Sequence, residues 1–181
     1  ERPNATGPGF DASVGMQESS GFVLVLVPGG TFKMGADRAD DPGANRDPAA
    51  LGTEQPVHEI ALDPFYLSKF ELTQAQWVRH VGSNPSKIPA PGSVGPRAQA
   101  TWIWPVDRVS WRDCQRVLRE LGLVLPTEAQ WEYACRAGTR TAYYTGHSKQ
   151  SVLATGANFA DSASARYFGT FSPEPDTDDG F

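Results

Sequence analysis

A chain of 181 residues that is 39% hydrophobic and 20% charged has the composition of one ordinary globular domain with a sizeable core. Its formal net charge of −5 and the absence of any Lys/Arg run exclude the basic footprint that displaces phosphate counterions, so neither DNA nor RNA is an expected partner. The longest apolar run, Phe22 to Val27, is too short to span a bilayer, and two cysteines are too few for a disulfide framework; both thiols are expected reduced, which favours a cytoplasmic setting.

Residues 1–20 are rich in Gly, Pro, Ser and Asn without an apolar period, and read as a flexible leader or linker, leaving 21–181 for the folded domain. Phe22 to Val27 is β-branched and apolar, Pro28-Gly29-Gly30 follows, and Thr31 to Met34 alternates polar with apolar: a strand, a turn and a half-buried strand. Ala36 to Glu54 is acidic and rich in Pro and Gly, which predicts a loop. His58 to Leu62 alternates again, and Phe65 to Phe70 is a further strand with aromatics on both faces. Three helices are then expected from one chemistry, a hydroxyl residue followed three positions on by a side chain able to close a capping box. Thr73 with Gln76 opens the first, running to about Val81; Ser110 with Asp113 opens the second, stopped by Gly122; Thr127 with Gln130 opens the third, stopped by Gly138. Lys87 to Thr101 between the first two is Pro- and Gly-rich loop, and after Tyr143 and Tyr144 the chain turns to small and polar residues. Short strands, few helices and a large irregular fraction predict an α+β fold.

The string Leu125-Pro126-Thr127-Glu128-Ala129-Gln130-Trp131-Glu132-Tyr133-Ala134 resembles a block of the formylglycine-generating enzyme and sulfatase-modifying factor family, with Gln130 in place of the family's second Glu and Val124 where Arg is usual. Three further blocks keep the family's order. Val27 to Gly35 is similar to its opening hairpin, Pro64 to Gln74 to its Phe-Tyr-Ile-Xaa-Lys-Tyr-Glu-Val-Thr segment, and Pro105 to Cys114 to its Pro-Val-Xaa-Xaa-Val-Ser-Trp-Xaa-Asp segment. The resemblance implies the formylglycine-generating-enzyme fold, a C-type-lectin-like variant with little regular secondary structure. It also implies an activity, the oxidation of a protein cysteine to formylglycine by oxygen and a copper ion held by two thiolates. The family's thiolate pair follows a Gly-Asn-Val-Trp-Glu-Trp segment, and this sequence holds neither. The domain is therefore expected to be C-terminally incomplete and inactive alone, with no catalytic residue assigned and copper only where a C-terminal continuation supplies two cysteines.

Cys114 and Cys135 each fall within a predicted helix and read as two buried small hydrophobes. His58, His80 and His147 are scattered with no i, i+4 pair, so no histidine metal cluster is expected. Glu174, Asp176, Asp178 and Asp179 crowd hard oxygen ligands before Gly180, which suits calcium without EF-hand spacing, or else forms a solvated acidic loop. The resemblance names a ligand set for calcium: Asn158, Phe159, Asp179 and Phe181. Asp37, Asp40, Asp41 and Asp47 have no such match and read as solvated. Trp77, Trp111 and Trp131 on the helices are expected in the core, while Trp102 and Trp104 read as scaffold or as exposed ligand contacts. Two functions remain open. One is a formylglycine-generating-type domain completed by a continuation; the other is a noncatalytic module of the same fold that binds a ligand or a protein partner. A related iron-dependent sulfoxide synthase of thiohistidine metabolism would need a separate helical part that contributes histidines.

Overall fold

All three expected helix starts close as capping boxes in the computed structural model, which describes residues 17–38, 45–87, 101–148 and 151. Helix α1 covers Gln74–Val81, α2 Trp111–Glu120 and α3 Glu128–Arg136. The Thr73, Ser110 and Thr127 hydroxyls accept from the backbone N–H of Gln76, Asp113 and Gln130, whose side chains return to the cap N–H. Each box satisfies donors that a helix start otherwise leaves unpaired. At the end of α3 the left-handed backbone begins one residue earlier than expected, at Ala137 (φ 46°), and continues through Gly138 (φ 86°). The described residues form a small mixed α/β architecture of short helices and two-stranded sheets, divided into two compact units.

The first unit, within residues 1–24 and 68–125, holds α1 and α2. Among the described residues, Trp77 and Val117 are its buried apolar ones, and Gln74 is only 1% exposed. A buried glutamine is stable there because its donors and acceptors are used. Its side-chain oxygen accepts from Asn84 Nδ2 (2.7 Å) and its backbone N–H donates to the Trp104 carbonyl (2.8 Å). Ala75 N–H donates to the Trp102 carbonyl (2.9 Å), so the first three N–H groups of α1 all have acceptors, Gln76 using Thr73. The two tryptophans of the 101–107 segment thus hold α1 through their backbones, with Trp104 39% exposed. Gln76 Nε2 also donates to the Ser20 and Gly21 carbonyls, and Arg79 to that of Glu18 (2.6 Å), tying residues 18–21 to α1. His80 Nε2 meets Glu120 Oε2 at 2.7 Å and links α1 to α2.

In the second unit, residues 25–67 and 126–181, strand β2 (Gly30–Met34) pairs antiparallel with β3 (His58–Leu62). The register sets Phe32 against Ile60 and Lys33 against Glu59, whose side chains close a 3.5 Å ion pair. Strand β1 (Leu24–Val27) instead pairs with β4 (Phe65–Ser68). The expected opening hairpin is therefore not a hairpin. The Pro28-Gly29 turn carries the chain from one sheet to the other, pressed so close to the β3–β4 corner that a Cβ on Gly29 would overlap the Leu62 carbonyl. Helix α3 packs on β2 through Tyr133, whose ring lies edge-on to Phe32 at 5.2 Å between centroids and 6.5 Å from Phe65.

Of the three helix tryptophans expected in the core, Trp77 is buried, whereas Trp111 and Trp131 are 63% and 61% exposed. Helix phase explains both. Val117 sets the inward side of α2, and Trp111, six residues earlier, lies about 120° round the helix from it. In α3 the inward positions go to Tyr133 and to the Glu132–Arg136 pair, which turns Trp131 outward.

Candidate functional site

A polar junction in the described residues joins α3 to the end of β2 in the second unit. Glu132 Oε1 accepts from the Gly35 backbone N–H (2.9 Å) and from Arg136 Nε one helical turn on (2.7 Å). Arg136 Nη2 donates to the Gly35 carbonyl (3.0 Å) and Nη1 to that of Thr141 (3.3 Å). An i, i+4 ion pair, its side chains 15% and 20% exposed, thereby grips both backbone groups of one glycine. Asn45, 1% exposed, adds Nδ2 bonds to the carbonyls of Lys33 (2.6 Å) and Gly35 (2.8 Å). Gly35 itself has φ 92°, and a Cβ there would overlap the Glu54 carbonyl. Oε1 of Glu132 and all three guanidinium nitrogens of Arg136 are committed, so this pair positions backbone. Glu132 lies in the most distinctive sequence block and Arg136 two residues beyond it, but their target sits 97 residues away from Glu132, where no local pattern announces it.

The proposed calcium ligands Asn158, Phe159, Asp179 and Phe181 lie outside the described residues, as do Glu174, Asp176 and Asp178. Of the second acidic loop, Asp37 Oδ1 accepts from Gln55 Nε2 (3.1 Å) and Asp47 Oδ1 from the Ala49 N–H (2.8 Å), while Asp40 and Asp41 lie outside. His58 Nδ1 contacts the Pro56 carbonyl, His80 pairs with Glu120, and His147 is exposed. Among the described residues no three His, Cys, Asp or Glu side chains come together to hold a metal.

The two thiols are free, and only one fits the expectation of a small buried hydrophobe. Cys114 is half-buried in the first unit; Cys135 is exposed on the outward side of α3 in the second, because the inward side is taken by Tyr133. Burial pushes the Cys114 thiol up from its ordinary pKa, and the neighbouring Asp113 carboxylate adds to the shift. Asp113 is itself held below the usual carboxylate range, mainly by the Ser110 hydroxyl, which keeps that negative charge in place. Since the thiolate is the nucleophile and metal ligand, Cys114 is poorly suited to either role. Iodoacetamide at pH 8 is expected to label Cys135 first and Cys114 about tenfold more slowly, the gap narrowing as pH rises toward the raised Cys114 pKa. Peptide-resolved mass spectrometry against time measures both rates.

The sulfatase-modifying factor enzyme 1-like domain matches residues 12–175 of this chain. The formylglycine-generating enzyme of Bos taurus is 25% identical over 167 residues, covering 70% of this chain and 42% of that protein. The inactive C-alpha-formylglycine-generating enzyme 2 of the same species is also 25% identical over 167 residues, covering 70% of this chain and 52% of that protein. The hercynine oxygenase of Mycolicibacterium smegmatis is 26% identical over 158 residues, covering 71% of this chain and 36% of that protein. The chain thus spans about half, or less, of the length of these relatives.

Proposed function

Because the chain belongs to the sulfatase-modifying factor enzyme 1-like family, we propose that it forms the scaffold part of a formylglycine-generating-enzyme-like domain of the C-type-lectin-like variant. In this reading, the copper- and oxygen-dependent oxidation of a protein cysteine to formylglycine needs thiolates that these 181 residues do not supply. The observation that carries it is the state of the two thiols. Copper(I) calls for soft sulfur ligands that converge as thiolates, and Cys114 is half-buried with its thiol pKa raised, so the residues present do not fit that ion. Incubating the 181-residue chain with copper, oxygen and a sulfatase-derived cysteine peptide is expected to give no formylglycine. A formylglycine product in the peptide mass spectrum overturns the reading.

A noncatalytic binding module of the same fold is the second reading, and one comparison favours keeping it. The bovine enzyme and its inactive counterpart are equally similar to this chain over the same share of it. Similarity in this region therefore does not separate an active domain from an inactive one, since fold alone does not fix function.

Calcium bound through Asn158, Phe159, Asp179 and Phe181 belongs to both readings as a structural ion. An ion that binds only the folded state stabilises by about 2.7 kcal/mol at a hundred times its Kd. The melting temperature is accordingly expected to rise with calcium relative to EGTA, and Asp179→Ala to abolish the rise. An equal rise in the variant removes these residues from the site.

A further inference from the structure

We infer that the exposed face of α2 is a docking surface for an acidic peptide segment of a partner protein. Arg112, Arg116 and Arg119 are spaced i, i+4 and i+7, which gathers them in one sector of the helix, on the side away from the fully buried Val117. All three are exposed, and among the described residues none of their guanidinium groups donates a hydrogen bond or closes an ion pair. Trp111, 63% exposed, lies beside them on the ridge it shares with Gln115 and Arg119.

Arg119 in the last turn suits the helix dipole, but the rest of the stripe does not favour helix stability. Arg112 with Arg116 and Arg116 with Arg119 are like-charge neighbours, and a cation at Arg112 in the first turn opposes the helix dipole. The acids of the helix do not neutralise the stripe. Asp113 is bound to the Ser110 hydroxyl (2.6 Å) and N–H (3.1 Å) and gives Arg116 only a longer-range attraction; Glu120 is paired with His80. In a chain of net charge −5, four exposed arginines therefore fall within one short stretch, Arg108 preceding the helix with a left-handed φ of 58°. Carboxylates in a partner would relieve the repulsion and match the guanidinium fork, and the neighbouring indole offers an apolar anchor of the kind that dominates interface energies. A phosphate backbone fits less well, because no Lys/Arg run extends the stripe into the longer basic footprint that such a backbone needs.

The test is fluorescence anisotropy with a labelled nonapeptide of three Glu-Glu-Leu repeats, and a labelled oligothymidylate of equal charge as the competitor class. The wild-type chain is expected to bind the peptide at low salt and to release it at high salt. Replacing all three arginines (R112Q, R116Q and R119Q together) should weaken binding about tenfold, as expected for three exposed ion pairs. Trp111→Ala should weaken it about threefold through the lost anchor. Arg140→Gln, an exposed arginine of the second unit, should leave affinity unchanged. The triple variant should melt no lower than wild type, since it removes like-charge pairs. No wild-type binding, equal binding by the triple variant, tighter binding of oligothymidylate, or a lower melting temperature of the triple variant each overturns the inference.

Discussion

Gly35→Ala is expected to lower the stability of the folded chain by about 3 kcal/mol, the sum of a left-handed backbone penalty and an overlap that must be relieved. Gly35 has φ 92°, which an alanine adopts only with strain, and the new Cβ would meet the Glu54 carbonyl, a backbone atom that cannot swing aside. The cost would not stop at the turn. Gly35 is where Glu132, Arg136 and Asn45 converge, so any shift of its N–H or carbonyl loosens bonds from α3 and from the 45–47 segment together. Urea unfolding measures the effect, with Gly52→Ala as the control, since a Cβ at Gly52 meets nothing within 4 Å. An equal, small change in both variants would mean that the junction yields easily and does not fix α3 on β2.

What was legible in the sequence was what neighbouring residues decide. The three capping boxes need only a hydroxyl and a partner three positions on, and all three formed where they were expected. The strand at His58–Leu62 follows from alternation, and the one at Phe65–Ser68 from its aromatic, apolar run, which was expected to reach Phe70. Pairing was not legible. A strand, a Pro-Gly-Gly turn and a second strand look alike whether the second folds back on the first or crosses to another sheet. That choice rests on the Gly29 approach to Leu62, 33 residues distant in number and invisible to any local pattern. Burial of tryptophans failed for a related reason, because helical spacing shows that a residue lies on some face and only the packing partner shows which face turns inward. Of the candidate site, the block around Glu132 and Arg136 was legible as a family signature, and its partner Gly35 appeared in another family block, yet nothing in either string linked the two.

Trp77→Ala is expected to cost about 3–5 kcal/mol, the range for deleting a buried aromatic, because Trp77 is 3% exposed. Trp111→Ala and Trp131→Ala, at positions that are 63% and 61% exposed, should each change stability by about 0.5 kcal/mol or less. Trp77→Phe separates packing from polarity. The indole Nε1 of Trp77 is buried without a hydrogen-bond partner among the described residues, a group whose desolvation the native fold already bears. Phenylalanine removes that unpaired donor along with part of the ring, so its cost should be about 1–2 kcal/mol, well below that of alanine. Thermal unfolding of the four variants tests the ordering. If Trp77→Phe proves as damaging as Trp77→Ala, the indole nitrogen is engaged in solution, and the first unit is held by a polar contact at its centre as well as by burial.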